Sequence, residues 1–182
     1  MNLLPRFVVM SLATSLLASP LCAAPVAFAG AVVLREALAY LPDVRYQPAT
    51  YQFTVAIPVR VERPLARLTI AIPDDAGPFG VNLPRLQEVR VYTPSNPAGP
   101  GPYYVAHTLP VQVILEERTL VVNFPQPIAP GETVTVEFQQ MRNPDQGGIY
   151  LFEINALPAG SEPVRQFVGY GRIAFRDSQS GR

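Results

Sequence analysis

Residues Tyr51–Ile57, YQFTVAI, alternate strictly: Tyr51, Phe53, Val55 and Ile57 fall on one face, Gln52, Thr54 and Ala56 on the other. Successive Cβ atoms of a strand point to opposite faces, so a period of two marks a half-buried β-strand. The alternation returns at Leu68, Ile70 and Ile72, and more weakly at Val89 and Val91. It recurs at Val111, Val113 and Leu115, at Leu120, Val122 and Phe124, and at Val134, Val136 and Phe138. Two further strand-like runs follow, Ile149–Leu157 and Phe167–Phe175. Glu116–Thr119 reads as a hairpin turn, and Pro130-Gly131 as the turn that launches ETVTVEF. Eight short strands with such punctuation predict an all-β, two-sheet antiparallel β-sandwich, immunoglobulin-like in the broad sense. A closed barrel is the alternative.

Proline sharpens the class. Of 21 prolines, 18 lie after residue 29. Each costs a helix interior about 3 kcal/mol, which leaves room for one short N-terminal helix at most. The candidate is Val32–Leu41, VVLREALAYL, stopped by Pro42; an irregular segment fits it equally. Thr93–Pro102, TPSNPAGPGP, reads as a structureless connector.

The first 29 residues read as a secretory signal peptide. Arg6 is followed by the eleven-residue apolar run Phe7–Leu17, and Ala27-Phe28-Ala29 supplies the small–x–small cleavage pattern, which places cleavage before Gly30. So short a run does not span roughly 30 Å of hydrocarbon as a permanent helix. A lipoprotein reading of Cys22 is opposed by Leu21, which stands where lipobox cleavage needs a small residue. The domain division is therefore 1–29 as signal peptide and 30–182 as one sandwich domain with its core at about 50–175. That domain has 153 residues and no cysteine, and a chain of this size buries enough surface to fold without disulfides. Its 13 arginines oppose 14 carboxylates, a balance that gives no electrostatic case for nucleic acid or an anionic membrane. No membrane span is expected after signal cleavage; the expected location is the periplasm, outer envelope or medium.

Candidate chemistry is sparse. The one histidine, His107, would have to join Ser95 or Ser161 in any Ser-His-Asp triad, and no Gly-x-Ser-x-Gly elbow is present. The doublets Asp74-Asp75 and Glu116-Glu117 send their carboxylates to opposite faces, so neither by itself makes a glycosidase pair. Zinc lacks thiolates and a second imidazole. Calcium would need oxygens such as those of Asp74, Asp75, Asn143 and Asp145 to converge from loops. Tyr103, Tyr104 and Phe79 are the ring candidates for a sugar platform. These residues imply no cofactor and no catalytic set.

The stretch Asn143–Gly160, NPDQGGIYLFEINALPAG, reads as a corner followed by a core strand. Asn143 suits a turn, Pro144 fixes φ near −65°, and Gly147-Gly148 supply φ > 0. Tyr150, Phe152, Ile154 and Ala156 then share an apolar face, with Glu153 and Asn155 breaking the opposite one. Asp145, Glu153 and Asn155 stand out as polar groups that the predicted fold does not itself require. Gly169 and Gly171, alternating in FVGYGRIAF, predict a kinked strand or a close backbone approach.

This layout resembles that of a cyanobacterial secreted family, the domain of unknown function 2808. The similarity runs through TYxFTV at Thr50–Val55, PLxRLTI at Pro64–Ile70 and PxxPGxTVTV at Pro127–Val136. It continues through RNPxxGGxYLF at Arg142–Phe152 and GxGR at Gly169–Arg172. The motif positions are Arg142, Asn143, Gly147, Gly148, Tyr150, Gly169 and Arg172. Glu153 departs from the pattern, which has glycine there, and the aromatic finish beyond Phe175 is missing. The resemblance implies export in a photosynthetic bacterium and assigns no catalytic residue. The expectation is a non-enzymatic interaction or structural module of the cell envelope, its partner an unknown envelope protein or glycan. The alternatives are a protein that binds or hydrolyses envelope glycans and a calcium-dependent adhesion module.

Overall fold

The structure, a computed structural model, describes residues 25–74, 80–94 and 106–177. Ten strands run along these residues: β1 (Val33–Tyr40), β2 (Ala49–Ala56), β3 (Leu65–Ala71), β4 (Val89–Pro94) and β5 (Ala106–Thr108), then β6 (Gln112–Glu116), β7 (Thr119–Ile128), β8 (Thr133–Met141), β9 (Gly148–Pro158) and β10 (Gln166–Phe175). They form two antiparallel five-stranded sheets, ordered β1-β2-β8-β4-β5 and β10-β9-β3-β7-β6. The class is the sandwich expected and not the barrel: among the described residues no ladder joins the two sheets. Among the described residues no helix is long and apolar enough to cross a membrane.

Alternation places the core. Tyr51, Phe53, Val55 and Ile57 are buried, as are Val134, Val136 and Phe138 of β8, which complete the inner face of the first sheet. Leu68 and Ile70, Leu120 and Val122, and Tyr150, Phe152, Ile154 and Ala156 face them from the second sheet. The rings of Phe53, Phe138 and Phe152 meet at 5.0–5.3 Å, tilted as aromatic quadrupoles prefer.

Val32–Leu41 is not a helix. It contributes β1, paired with β2 from Val33↔Ala56 to Tyr40↔Thr50 with a bulge between Leu34 and Glu36. That bulge explains the misreading. Val32 and Leu34 face the core before it, Ala37 and Ala39 after it. One inserted residue thus shifts the period-two pattern by one, and the resulting spacing imitates the i, i+3 pattern of a helix.

The remaining strands were legible with two additions, β1 and the three-residue β5. The hairpin turn between β6 and β7 holds Glu117 at φ +53°, and the turn before β8 holds Gly131 at φ +97°. Arg118, in the β6–β7 turn, donates to the carbonyls of Ile72, Pro73 and Val81 and meets Asp74 at 3.5 Å. It therefore anchors the segment leading out of β3.

On one side the sheets close on each other through β1 and β10. A Cβ added at Gly171 would lie 2.9 Å from Ala37 Cβ and 3.0 Å from Phe53 Cε1, so only glycine allows this approach. Both elements of the Gly169/Gly171 expectation are found: a bulge between Phe167 and Gly169, and close packing at Gly171. The chain before β1 joins this closure. Val26 accepts from Val164 N–H at 2.7 Å and donates to Glu162 O at 2.8 Å, and Phe28 packs against the core.

Candidate functional site

The outward positions of β2 and β8 are polar, and register brings them together. Gln52 lies between Leu38 of β1 and Glu137 of β8; Thr54 lies between Glu36 and Thr135. Across β8, Glu137 faces Arg90 and Thr135 faces Tyr92 of β4. These side chains bond across four strands. Tyr40 O–H donates to Gln52 Oε1 at 3.2 Å; Gln52 Nε2 donates to Glu137 Oε2 at 2.6 Å and to Tyr92 Oη at 3.1 Å. Gln139 Nε2 also donates to Glu137, and the Thr54 and Thr135 hydroxyls share a hydrogen bond of 3.0 Å. A groove of about 900 Å³ runs over this network, with Arg35, Glu36, Pro94 and Glu132 on its walls.

Electrostatics keeps the tyrosines as donors. Burial, then the Glu137 carboxylate, pushes the Tyr92 phenol up to about 12. Burial, then Glu36 and Glu137, raises Tyr40 as well. Both phenols therefore stay protonated through neutral pH. Glu137, beside the groove, collects donors from two amides and fixes the side chains of Gln52 and Tyr92 that line it, so it does not stand free as an acid or nucleophile. The half-exposed Tyr40 ring adds an apolar platform at the rim.

The residues singled out from the sequence lie elsewhere. Asn143 is fully buried: its N–H donates to Tyr46 O, its Nδ2 to the carbonyls of Leu41 and Asp43 at 2.8 and 2.7 Å, and its Oδ1 accepts from Tyr51 O–H at 3.0 Å. Burial raises the Tyr51 phenol further still. Asp145 is not a spare polar group; Arg142 holds it at 2.6 Å and Arg45 reaches it at 3.7 Å, which sets two cations against any calcium there. Asp75 lies outside the described residues. Among the described residues no three His, Cys, Asp or Glu side chains gather as metal ligands. Gly147 N–H donates to Asp177, Gly148 takes φ +154° at the start of β9, and Tyr150 O–H donates to Gln146 O. Gly169 sits in the β10 bulge and Arg172 points to solvent. Asn143, Gly147, Gly148 and Tyr150 thus build the corner, while Gly169 and Arg172 belong to β10.

Glu153 and Asn155 pair with each other at 2.9 Å on the outer face of the second sheet, opposite the groove. They line a trough of about 500 Å³ with Arg67, Glu116 and Glu117. His107 lies in β5 at one edge of the first sheet, while Ser161 follows β9 near the opposite edge of the second, so they form no triad. Ser95, Tyr103, Tyr104 and Phe79 lie outside the described residues. The hydrogen-bonded residues Tyr40, Gln52, Tyr92 and Glu137 were missed as a set. The available signal was the off-face of two strands, Gln52/Thr54 in YQFTVA and Thr133/Thr135/Glu137 in TVTVEF, but only the sheet order makes β2 and β8 neighbours.

Similar proteins were found at the level of fold outline and of family. BslA, a bacterial hydrophobin, is 11% identical with a TM-score of 0.46, covering 83% of this chain and 98% of that one. The collagen-binding domain from a Staphylococcus aureus adhesin is 12% identical with a TM-score of 0.44, covering 79% and 96%. BcpA, the major pilin subunit of Bacillus cereus, is 7% identical with a TM-score of 0.46, covering 79% and 40%. No curated protein matches the sequence significantly. The pattern described as Protein of unknown function (DUF2808) matches residues 26–175, and the chain belongs to that family.

Proposed function

We propose that this chain is an exported, non-enzymatic binding module of the cell envelope and that it holds a glycan in the groove across β1, β2, β8 and β4. The observation that carries the reading is the continuous network Tyr40–Gln52–Glu137–Tyr92 above the Thr54–Thr135 pair. Planar amide, carboxylate and phenol groups, fixed by one another before a ligand arrives, suit rows of hydroxyls; preorganisation lowers the entropy lost on binding. Export rests on the apolar run Phe7–Leu17 that follows Arg6, the pattern of a signal peptide.

The test is affinity electrophoresis of the purified protein through gels containing envelope polysaccharide fractions. Retardation by at least one fraction is expected, with Gln52→Ala and Tyr92→Ala each weakening it about 3- to 10-fold, the worth of one or two hydrogen bonds. Absence of retardation in every fraction, or retardation untouched by both substitutions, would sink the proposal.

A further inference from the structure

A β-sandwich has four sheet edges, and an unguarded edge offers unpaired backbone donors and acceptors to another strand. Here β1 and β10 are both bulged and lie against each other, and β5 spans three of the described residues, Ala106–Thr108. The fourth edge, β6, is different. It pairs in unbroken register with β7, from Gln112↔Asn123 to Glu116↔Thr119, and among the described residues it has no other strand neighbour. It contains no proline, no basic residue and no bulge; its one charge is the terminal Glu116, and the short turn Leu86–Glu88 touches it without pairing to it as a strand.

Its sequence is also self-complementary. In Gln112-Val113-Ile114-Leu115-Glu116, the outward residues Gln112, Ile114 and Glu116 are exposed, and the inward Val113 and Leu115 are only half-buried against the core. An antiparallel pairing of two such strands about Ile114 sets Gln112 opposite Glu116 of the second copy, an amide donor facing a carboxylate. It sets Val113 beside Leu115 of the second copy, which finishes the cover of both. Parallel pairing in register would instead stack Glu116 on its own copy, and like charges directly opposite are destabilising.

We propose that β6 pairs antiparallel with β6 of a second copy of this chain, forming a two-fold dimer with one continuous ten-stranded sheet. The axis runs perpendicular to that sheet, midway between the two copies of Ile114. Both copies then turn the outer face of the first sheet to the same side, so a dimer presents its two grooves together and gains avidity for a repeating ligand. The dimer itself does not depend on what the groove binds.

The test uses the full chain with its one cysteine, Cys22, replaced by alanine. Residues directly opposite in an antiparallel pair have Cα atoms about 4.5–5.5 Å apart, within disulfide reach. Ile114→Cys should therefore cross-link to a covalent dimer under mild oxidant at least tenfold faster than Ile149→Cys, an equally exposed isoleucine on β9. In sedimentation velocity from low to high micromolar protein, the unmodified chain should move from one to two copies. Ile114→Lys, which places two ammonium groups face to face, should raise the dissociation constant at least tenfold. Ile114 is 46% exposed, so neither variant disturbs the core, and unchanged thermal midpoints would verify this. A monomer across the whole range, cross-linking no faster than at Ile149→Cys, or a dimer indifferent to Ile114→Lys would each overturn the proposal.

Discussion

Asn143 accepts one hydrogen bond and donates three, all inside the protein, and so ties the loop after β1 to the end of β8 and to Tyr51. Asn143→Ala strands two carbonyls and a phenol away from water. The expected loss is roughly 3 kcal/mol, read as a fall of about 10 °C in thermal midpoint. The two informative glycines should fail for different reasons. Gly148→Val strains a backbone at φ +154° where an added Cβ meets only the Tyr150 ring at 3.9 Å; Gly171→Ala overpacks Ala37 and Phe53. Each should cost about 1–3 kcal/mol, and Ala37→Gly should recover part of the loss at Gly171→Ala and none at Gly148→Val. Tyr92 carries a pH prediction. Its phenol is raised in the folded state to about 12, so its contribution to stability is complete below the ordinary tyrosine value of about 10 and is lost as pH climbs through 12. Alkaline melts should show that loss, and Tyr92→Phe should make it shallower.

At the scale of elements, β1 shows how one bulge hides a strand: residues 32–39 keep their core contacts while the alternation slips by one between Leu34 and Glu36. The segment before it matters too. A Cβ at Gly160 would lie 2.8 Å from a Val26 methyl, and Val26 exchanges two backbone hydrogen bonds with the loop between β9 and β10. A chain beginning at Val26 should therefore be more stable than one beginning at Gly30 by about 2 kcal/mol, or near 5 °C by calorimetry. Equal midpoints would show that Val26 and Phe28 are passengers.

For the whole molecule, stability should decline from the middle strands to the edges. Native-state hydrogen exchange is expected to be slowest in β8 and β3, the middle strands of the two sheets, and fastest in β5. Slow exchange in β6 at high protein concentration that quickens on dilution would accompany the proposed dimer; equal rates at both would count against it. The class of fold, most strand positions, both turns and the corner at Asn143 were legible in the amino-acid sequence, because side-chain alternation and turn chemistry are local properties written in consecutive residues. The strand order, the sheet that each strand joins, and the network of Tyr40, Gln52, Tyr92 and Glu137 were decided only by the tertiary structure. These four residues lie on four different strands up to 97 positions apart. No local pattern records which backbone edges will find each other, since that choice is set by the packing of two sheets over one core.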